Sequence, residues 1–312
     1  MRWFRLRDVY YLVVLSLIKA TAAVPARLRE KLVDAIGLAA YFFSRHKRQE
    51  MYLNVGHAFG ESMSASERRA TVRCAFLETW REIFSILPAR GWAGREVAEV
   101  AGLEHLQEAL ARGKGVILWE SVGFGRRYAA RRALHELGHA IVQVHGPDHL
   151  CGMLDVGAPA TRLRSVIRRV CDRWEMAAVA EIVDLPASKS LAFARILNDR
   201  LRQNEIIFIT GDGVEGHKHV EHEFLGVRKL FATGIVSLAR IGGVTILPIF
   251  CSVDSPRVSV TIEQPVIVGT SGDRETDVRE ALTDYAVRLE RRIRLQPGLY
   301  RNWHLLGAHD RR

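Results

Sequence analysis

Two groups of residues in this chain have the types and spacing to do chemistry. The first is Gly113-Lys-Gly-Val-Ile-Leu-Trp-Glu-Ser-Val-Gly-Phe-Gly-Arg-Arg127. Residues 116–119 read as a short buried strand that runs into Glu120 and Ser121, turns at Gly123 and Gly125, and opens a helix near Arg126. Such a turn presents side chains and N–H groups at the carboxyl edge of a sheet, where open α/β folds bind ligands. Glu120 could serve as a general base if burial makes it basic. Arg126, Arg127 and the turn N–H groups could hold a phosphate or a developing oxyanion. Bland readings stand beside these: an Arg-paired carboxylate, and a charged helix face continuing through Arg131 and Arg132. Asp212 and Gly213, in Gly211-Asp-Gly-Val-Glu-Gly216 after the next apolar strand, either orient an acceptor or a basic side chain, or simply form a turn.

The second group is His135-Glu-Leu-Gly-His139, a His-Glu-x-x-His pattern with His145 at the spacing of a third zinc ligand. On one helix, His135 and His139 would share a face, and Glu136 would act as base. The residues after His139, Ala-Ile-Val-Gln-Val144, read instead as a strand, which would end the helix at the second histidine. Gly138 then reads as a helix stop. His145, at that strand's end, is a further candidate base or phosphate contact. His217, His219 and His222 alternate as on a solvated hairpin face.

The elements that must position these residues alternate along the chain. Residues 28–100 read as helical, with Val72, Ala75, Phe76, Thr79, Ile83 and Leu87 on one face. After residue 113, strands at 116–119, 140–144, 177–182, 206–210, 244–251 and 257–262 alternate with helices at 126–136, 161–172, 190–202, 233–241 and 278–293. This pattern predicts an α/β fold with a mostly parallel central sheet flanked by helices. At the N-terminus, Arg2, Arg5 and Arg7 precede an apolar run over 9–18, and Lys19, Arg27, Arg29 and Lys31 follow. The run is shorter than the roughly 20 residues a bilayer-spanning helix needs, and suits a helix lying in an anionic interface better than a cleaved signal peptide or an ordinary core helix. The expected division is therefore a membrane-associating helical segment over 1–44 and an α/β domain over 45–312.

Lys plus Arg number 45 against 35 Asp plus Glu, a formal charge of +10 that favours anionic partners. Without basic tracts interleaved with aromatics, the sequence points to a membrane surface or an acidic protein and away from nucleic acid. Cys74, Cys151, Cys171 and Cys251 are scattered, with no Cys-x-x-Cys pair, so reduced thiols are expected. Tyr128 takes the place of the third small residue of a dinucleotide fingerprint, so no nicotinamide cofactor is expected.

Several further segments fall in a telling order: Arg48, Asn54, Ala58-Phe-Gly60, Gly113-Lys-Gly-Val-Ile-Leu118, Asp212-Gly-x-x-Gly216, Glu223-Phe-Leu-Gly226, Ala232-Thr-Gly234, Leu238-Ala-Arg240, Ile246-Leu-Pro-Ile-Phe250 and Pro297-Gly-Leu-Tyr-Arg-Asn-Trp303. Their order and spacing resemble the lipid A biosynthesis lauroyl/myristoyl acyltransferases, within the lysophospholipid acyltransferase superfamily. The resemblance covers about residues 45–304.

It implies a membrane-associated enzyme on the cytoplasmic face of an inner membrane. Such an enzyme moves a fatty acyl group from acyl carrier protein, or another thioester such as acyl-CoA, onto a hydroxyl of a glycolipid or lysolipid, with no metal or other cofactor. In that family a His-x-x-x-x-Asp/Glu motif on the strand-turn supplies base and orienting carboxylate. Here the pair falls on Val122 and Arg127 in the ungapped register, or on Gly123 and Tyr128 when aligned on Phe124-Gly125. Three readings follow. The first is transfer with substituted residues, in which Glu120, Asp212 and His145 are catalytic candidates and Ser121, Gly123, Gly125, Arg126, Arg127 and Gly213 bind substrate. The second is a lipid-binding homologue without transfer, and the third, a remote one, is a zinc protease through His135 and His139.

Overall fold

The computed structural model describes residues 3, 5–87, 97–146, 149–150, 153–154, 161–185, 191–213, 218–254 and 257–306. Four helices come first: α1 (Leu6–Ala22), α2 (Ala26–Phe43), α3 (Arg45–Phe59) and α4 (Ala65–Ser85). The rest alternates as β1 (Val97–Ala101), α5 (Leu103–Ala111), β2 (Val116–Glu120), α6 (Arg127–Glu136), β3 (Ile141–His145), β4 (His149–Leu150), β5 (Met153–Leu154), α7 (Arg162–Glu175) and β6 (Glu181–Asp184). It continues as α8 (Leu191–Arg202), β7 (Ile206–Thr210), β8 (His219–Phe224), β9 (Val227–Ala232), α9 (Gly234–Gly242), β10 (Thr245–Asp254), β11 (Arg257–Ile262) and α10 (Arg274–Leu295).

Seven strands form one sheet in the order β1-β11-β10-β2-β7-β3-β6. Every pairing is parallel except β10 with β11, so the sheet is mostly parallel, as the alternation predicts. β2 lies near the middle, between β10 and β7, and its five residues are all buried. Side chains of a strand alternate between faces. Val116 and Leu118 accordingly join α5 and α6 residues such as Leu106, Ala130 and Leu134, whereas Ile117 and Trp119 join Leu197, Val236 and Tyr285 of α8, α9 and α10. The alternation carries Glu120 to the α6 face. A third cluster, with Tyr11, Ile18, Val33, Phe84 and Ile167, packs α1 and α2 onto α4 and α7.

Two sequence expectations change, and one remote reading falls. Residues 97–101 are an edge strand, not helix; five residues with an internal glutamate carry little periodicity, and pairing with β11 decides their state. Helix α6 stops at Glu136, and the His139 N–H returns to the Leu134 carbonyl beside Gly138 at φ +86. His135 and His139 thus do not share a helical face, which removes the zinc-protease reading. Among the described residues no group of three or more His, Cys, Asp or Glu side chains could hold a metal ion. Lastly, Cys171 is disulfide-bonded, so the thiols are not all reduced as expected. The hairpin around His219 and His222 is present as β8–β9; His217 lies outside the described residues.

Candidate functional site

β2 and β7 end side by side, with Glu120 opposite Thr210 and the Gly211 N–H bonded to the Glu120 carbonyl at 2.8 Å. Beyond these ends the chain turns sharply at Ser121–Gly125 on one side and at Gly211–Gly213 on the other. Gly211 is required by packing: a Cβ there would lie 2.5 Å from Trp119 Nε1 and 2.6 Å from the Tyr285 ring. Trp119 and Tyr285 stack at 4.2 Å, and the Tyr285 hydroxyl donates to the Glu120 carbonyl at 3.0 Å.

Asp212 joins the two turns. One carboxylate oxygen accepts from the Val122 N–H at 2.6 Å and the other from Ser121 Oγ at 2.8 Å. Ser121 Oγ in turn accepts the N–H groups of Gly123 and Phe124 at 3.2 and 3.1 Å. Both Ser121 and Asp212 are buried, Gly213 is half-buried beside them, and Val122 is half-buried at the turn's surface.

Glu120 points the other way, into α6. Its carboxylate takes Arg131 at 2.5 Å and lies 3.7 Å from Arg127. These arginines belong to a buried charge lattice. Arg127 also reaches Glu82 at 3.5 Å, and its own N–H donates to that carboxylate at 3.2 Å, so an α4 side chain occupies the anion-seeking N-terminus of α6. Arg126 pairs with Glu78 at 2.9 Å, one turn earlier on α4. Burial alone would raise the Glu78 carboxyl, but Arg126 and Arg81 outweigh it and hold it below the usual range. On the far side Arg131 lies 3.8 Å from Glu175, which accepts from Tyr128 at 2.6 Å and holds His145 Nε2 at 2.6 Å. Burial, reinforced by Glu175, pushes the Tyr128 hydroxyl well above its ordinary range.

Arg301 closes the turn from the C-terminal side. Its guanidinium donates to the carbonyls of Gly125 and Val122, and its N–H to that of Gly123. The Gly125 N–H reaches the Leu299 carbonyl at 3.3 Å, and Gly125 itself sits at φ +70 with the Cys251 carbonyl 2.3 Å from where a Cβ would lie. Only glycine fits there.

The structure therefore unites Ser121, Asp212, Gly123 and Gly213 at one edge, while the Glu120 and His145 side chains are engaged by Arg131 and Glu175. The N–H groups of Val122 through Gly125, expected to be open to an oxyanion, are all engaged internally. Arg126 and Arg127, expected to face a ligand, are engaged by Glu78 and Glu82. The sequence reading missed Glu78, Glu82, Glu175, Tyr285 and Arg301. The legible signal was on α4, where two glutamates four residues apart lie among Ala75, Phe76 and Ile83 on the apolar stripe. Carboxylates buried on a helix in an arginine-rich chain imply arginine partners.

The family model for the bacterial lipid A biosynthesis acyltransferases matches residues 3–125. Over that stretch the chain is similar to those acyltransferases. It is also 25% identical over 287 residues to the phosphatidylinositol mannoside acyltransferase of Mycobacterium tuberculosis, in strains ATCC 25618 / H37Rv and CDC 1551 / Oshkosh alike. That match covers 88% of this chain and 80% of the relative. The segments that suggested the kinship are structural anchors here: Asn54 donates to the carbonyls of Trp303 and Leu306, and Arg48 to that of Tyr41.

Where the resemblance implies a histidine and an acid, the ungapped register sets half-buried Val122 against Asp212 and sets Arg127 between Glu82 and Glu120. In the other register Gly123 packs on Tyr300 and Asn302, and Tyr128 bonds Glu175. Neither register restores a base and acid pair.

Proposed function

We propose that this acyltransferase relative transfers a fatty acyl group from acyl carrier protein, or another thioester, to a hydroxyl of a glycolipid or lysolipid at an anionic membrane surface. One observation carries this reading: the Asp212 carboxylate and Ser121 hydroxyl meet against Val122, the position at which the relatives' histidine is expected. Ser121 Oγ takes the acceptor's proton as it passes its own to Asp212. The acceptor oxygen then bonds the thioester carbon, the C–S bond breaks, and the proton returns through Ser121 to the departing sulfur. Rotation of Ser121 toward the acceptor releases the Gly123 and Phe124 N–H groups, which are then free to receive the oxyanion.

The membrane part rests on α1. Its Tyr11, Val14, Leu15 and Ile18 are buried against the protein, yet Leu6, Val9, Leu12, Val13 and Leu17 on the opposite side are exposed, flanked by exposed Arg5 and Lys19. A helix apolar on its outer face with basic ends suits an interface. No helix among the described residues is long and apolar enough to cross a membrane. Arg29, expected among the basic flank, is buried and donates to the Phe84 carbonyl.

A second reading, lipid binding without transfer, is favoured by the internally saturated turn and by the arginine lattice that holds Glu120. Incubating the intact protein with labelled acyl-carrier protein and host membrane lipid separates the two. Transfer predicts a labelled lipid and a loss of roughly 10²–10⁴-fold in rate in both Asp212→Asn and Ser121→Ala. An unlabelled lipid that nevertheless binds the intact protein establishes the second reading.

A further inference from the structure

At the opposite, amino-terminal edge of the sheet, α8 and α9 border a groove of about 540 Å³ beside the starts of β2 and β10. Leu238, Ile241 and Val244 give it an apolar floor, and Ile241 is 75% exposed. Lys114, Arg195 and Arg202 stand around it, and no carboxylate lines it among the described residues. Arg81, Arg126, Arg127, Arg131, Arg200, Arg240, Arg288 and Arg292 each pair with a carboxylate, whereas these three cations have no such partner among the described residues. Two other cavities differ in this respect, since the one between α2 and α4 contains Glu30, Asp34 and Glu78, and the one beside β8 contains Glu275.

We propose that this groove is a binding site for a single-chain anionic amphiphile, with the alkyl chain on Leu238, Ile241 and Val244 and the anionic head among Lys114, Arg195 and Arg202. Pockets of about 300–1,000 Å³ take ligands of that size. A partner helix, about 10 Å wide, would fill roughly 80 Å³ per Å of length, so the groove holds under two turns of one. Three clustered cations without counter-charges repel one another, and an anionic head relieves that repulsion. The site is distinct from the Ser121–Asp212 turn, which lies at the other end of β2 and β7, about 15–20 Å along the strands.

The test is calorimetric titration of the full chain with dodecanoate, dodecyl phosphate and dodecan-1-ol, each below its aggregation concentration. The expected result is one equivalent of an anionic amphiphile per chain, with dodecanol at least tenfold weaker and anion binding falling with salt. A preference for carboxylate identifies a free fatty acid as the source, and a preference for phosphate identifies a phosphorylated lipid. Lys114→Glu with Arg202→Glu, both at exposed positions, should weaken binding at least tenfold at unchanged Tm. Ala194→Trp, which fills the groove, should abolish binding, while Asp212→Asn leaves it intact. Equal affinity for dodecanol, or indifference to both groove changes, overturns the proposal. So does loss of binding in Asp212→Asn, which would place the amphiphile at the other edge, and so does tighter binding of an acidic amphipathic peptide.

Discussion

Arg131 is the side chain on which the buried charges beneath β2 depend. It is 1% exposed and faces Glu120 and Glu175 together. Replacing it by Met leaves both carboxylates buried with less counter-charge, and the expected loss is about 3–5 kcal/mol in urea unfolding. Removing Glu120 as well, by Glu120→Leu on the Arg131→Met background, should recover part of that loss; a double-mutant cycle measures the coupling. His304 offers a pH test. Burial, then nearby Lys47, lowers its imidazole to about 3 from an ordinary value of 6.5. The unfolded chain therefore takes up the proton first as pH falls, so His304's contribution is complete above about 6.5 and is lost toward 3. His304→Gln should show a smaller fall in Tm between pH 6.5 and 4 than the parent. At this scale the sequence was half legible. Asp212 and Ser121 stand at strand ends, where local pattern points, but the partners of Glu120 come from α4, α6 and α7, and no spacing rule links those segments.

Among the elements, the turn from β2 to α6 is held by contacts from every side. Gly125→Ala adds a Cβ at φ +70 against the Cys251 carbonyl. The backbone conformation alone costs about 1–3 kcal/mol and the clash adds to it, so a Tm lowered by several degrees and a displaced turn are expected, visible by calorimetry and near-UV circular dichroism. The helices and inner strands were readable because each carries an unbroken apolar run or stripe. β1 was not, because its state is set by pairing with a strand some 160 residues later in the chain, Val97 meeting Val258. The end of α6 was readable from Gly138 and from the strand that follows, and for the same reason the histidine pair never forms a chelating face.

For the whole molecule, the proposed membrane contact brings together the exposed face of α1 and the +10 charge. Val9→Glu with Val13→Glu should release the protein from vesicles containing anionic lipid in a sedimentation assay, without lowering Tm, because both side chains already face outward. Raising salt should weaken the parent's binding, while neutral vesicles should bind it less at any salt.

The guanidinium of Arg127 has one further consequence, which concerns redesign. Arg127→Glu together with Val122→His would write in the two residues that the family resemblance leads one to expect here. It would also crowd a third negative group between Glu82 and Glu120, with Arg131 as the nearest remaining counterweight. Placing a carboxylate there would therefore have to begin on α4, with Glu82. A base and acid pair at this turn lies several simultaneous changes away, because the side chains around Arg127 are arranged for a positive charge.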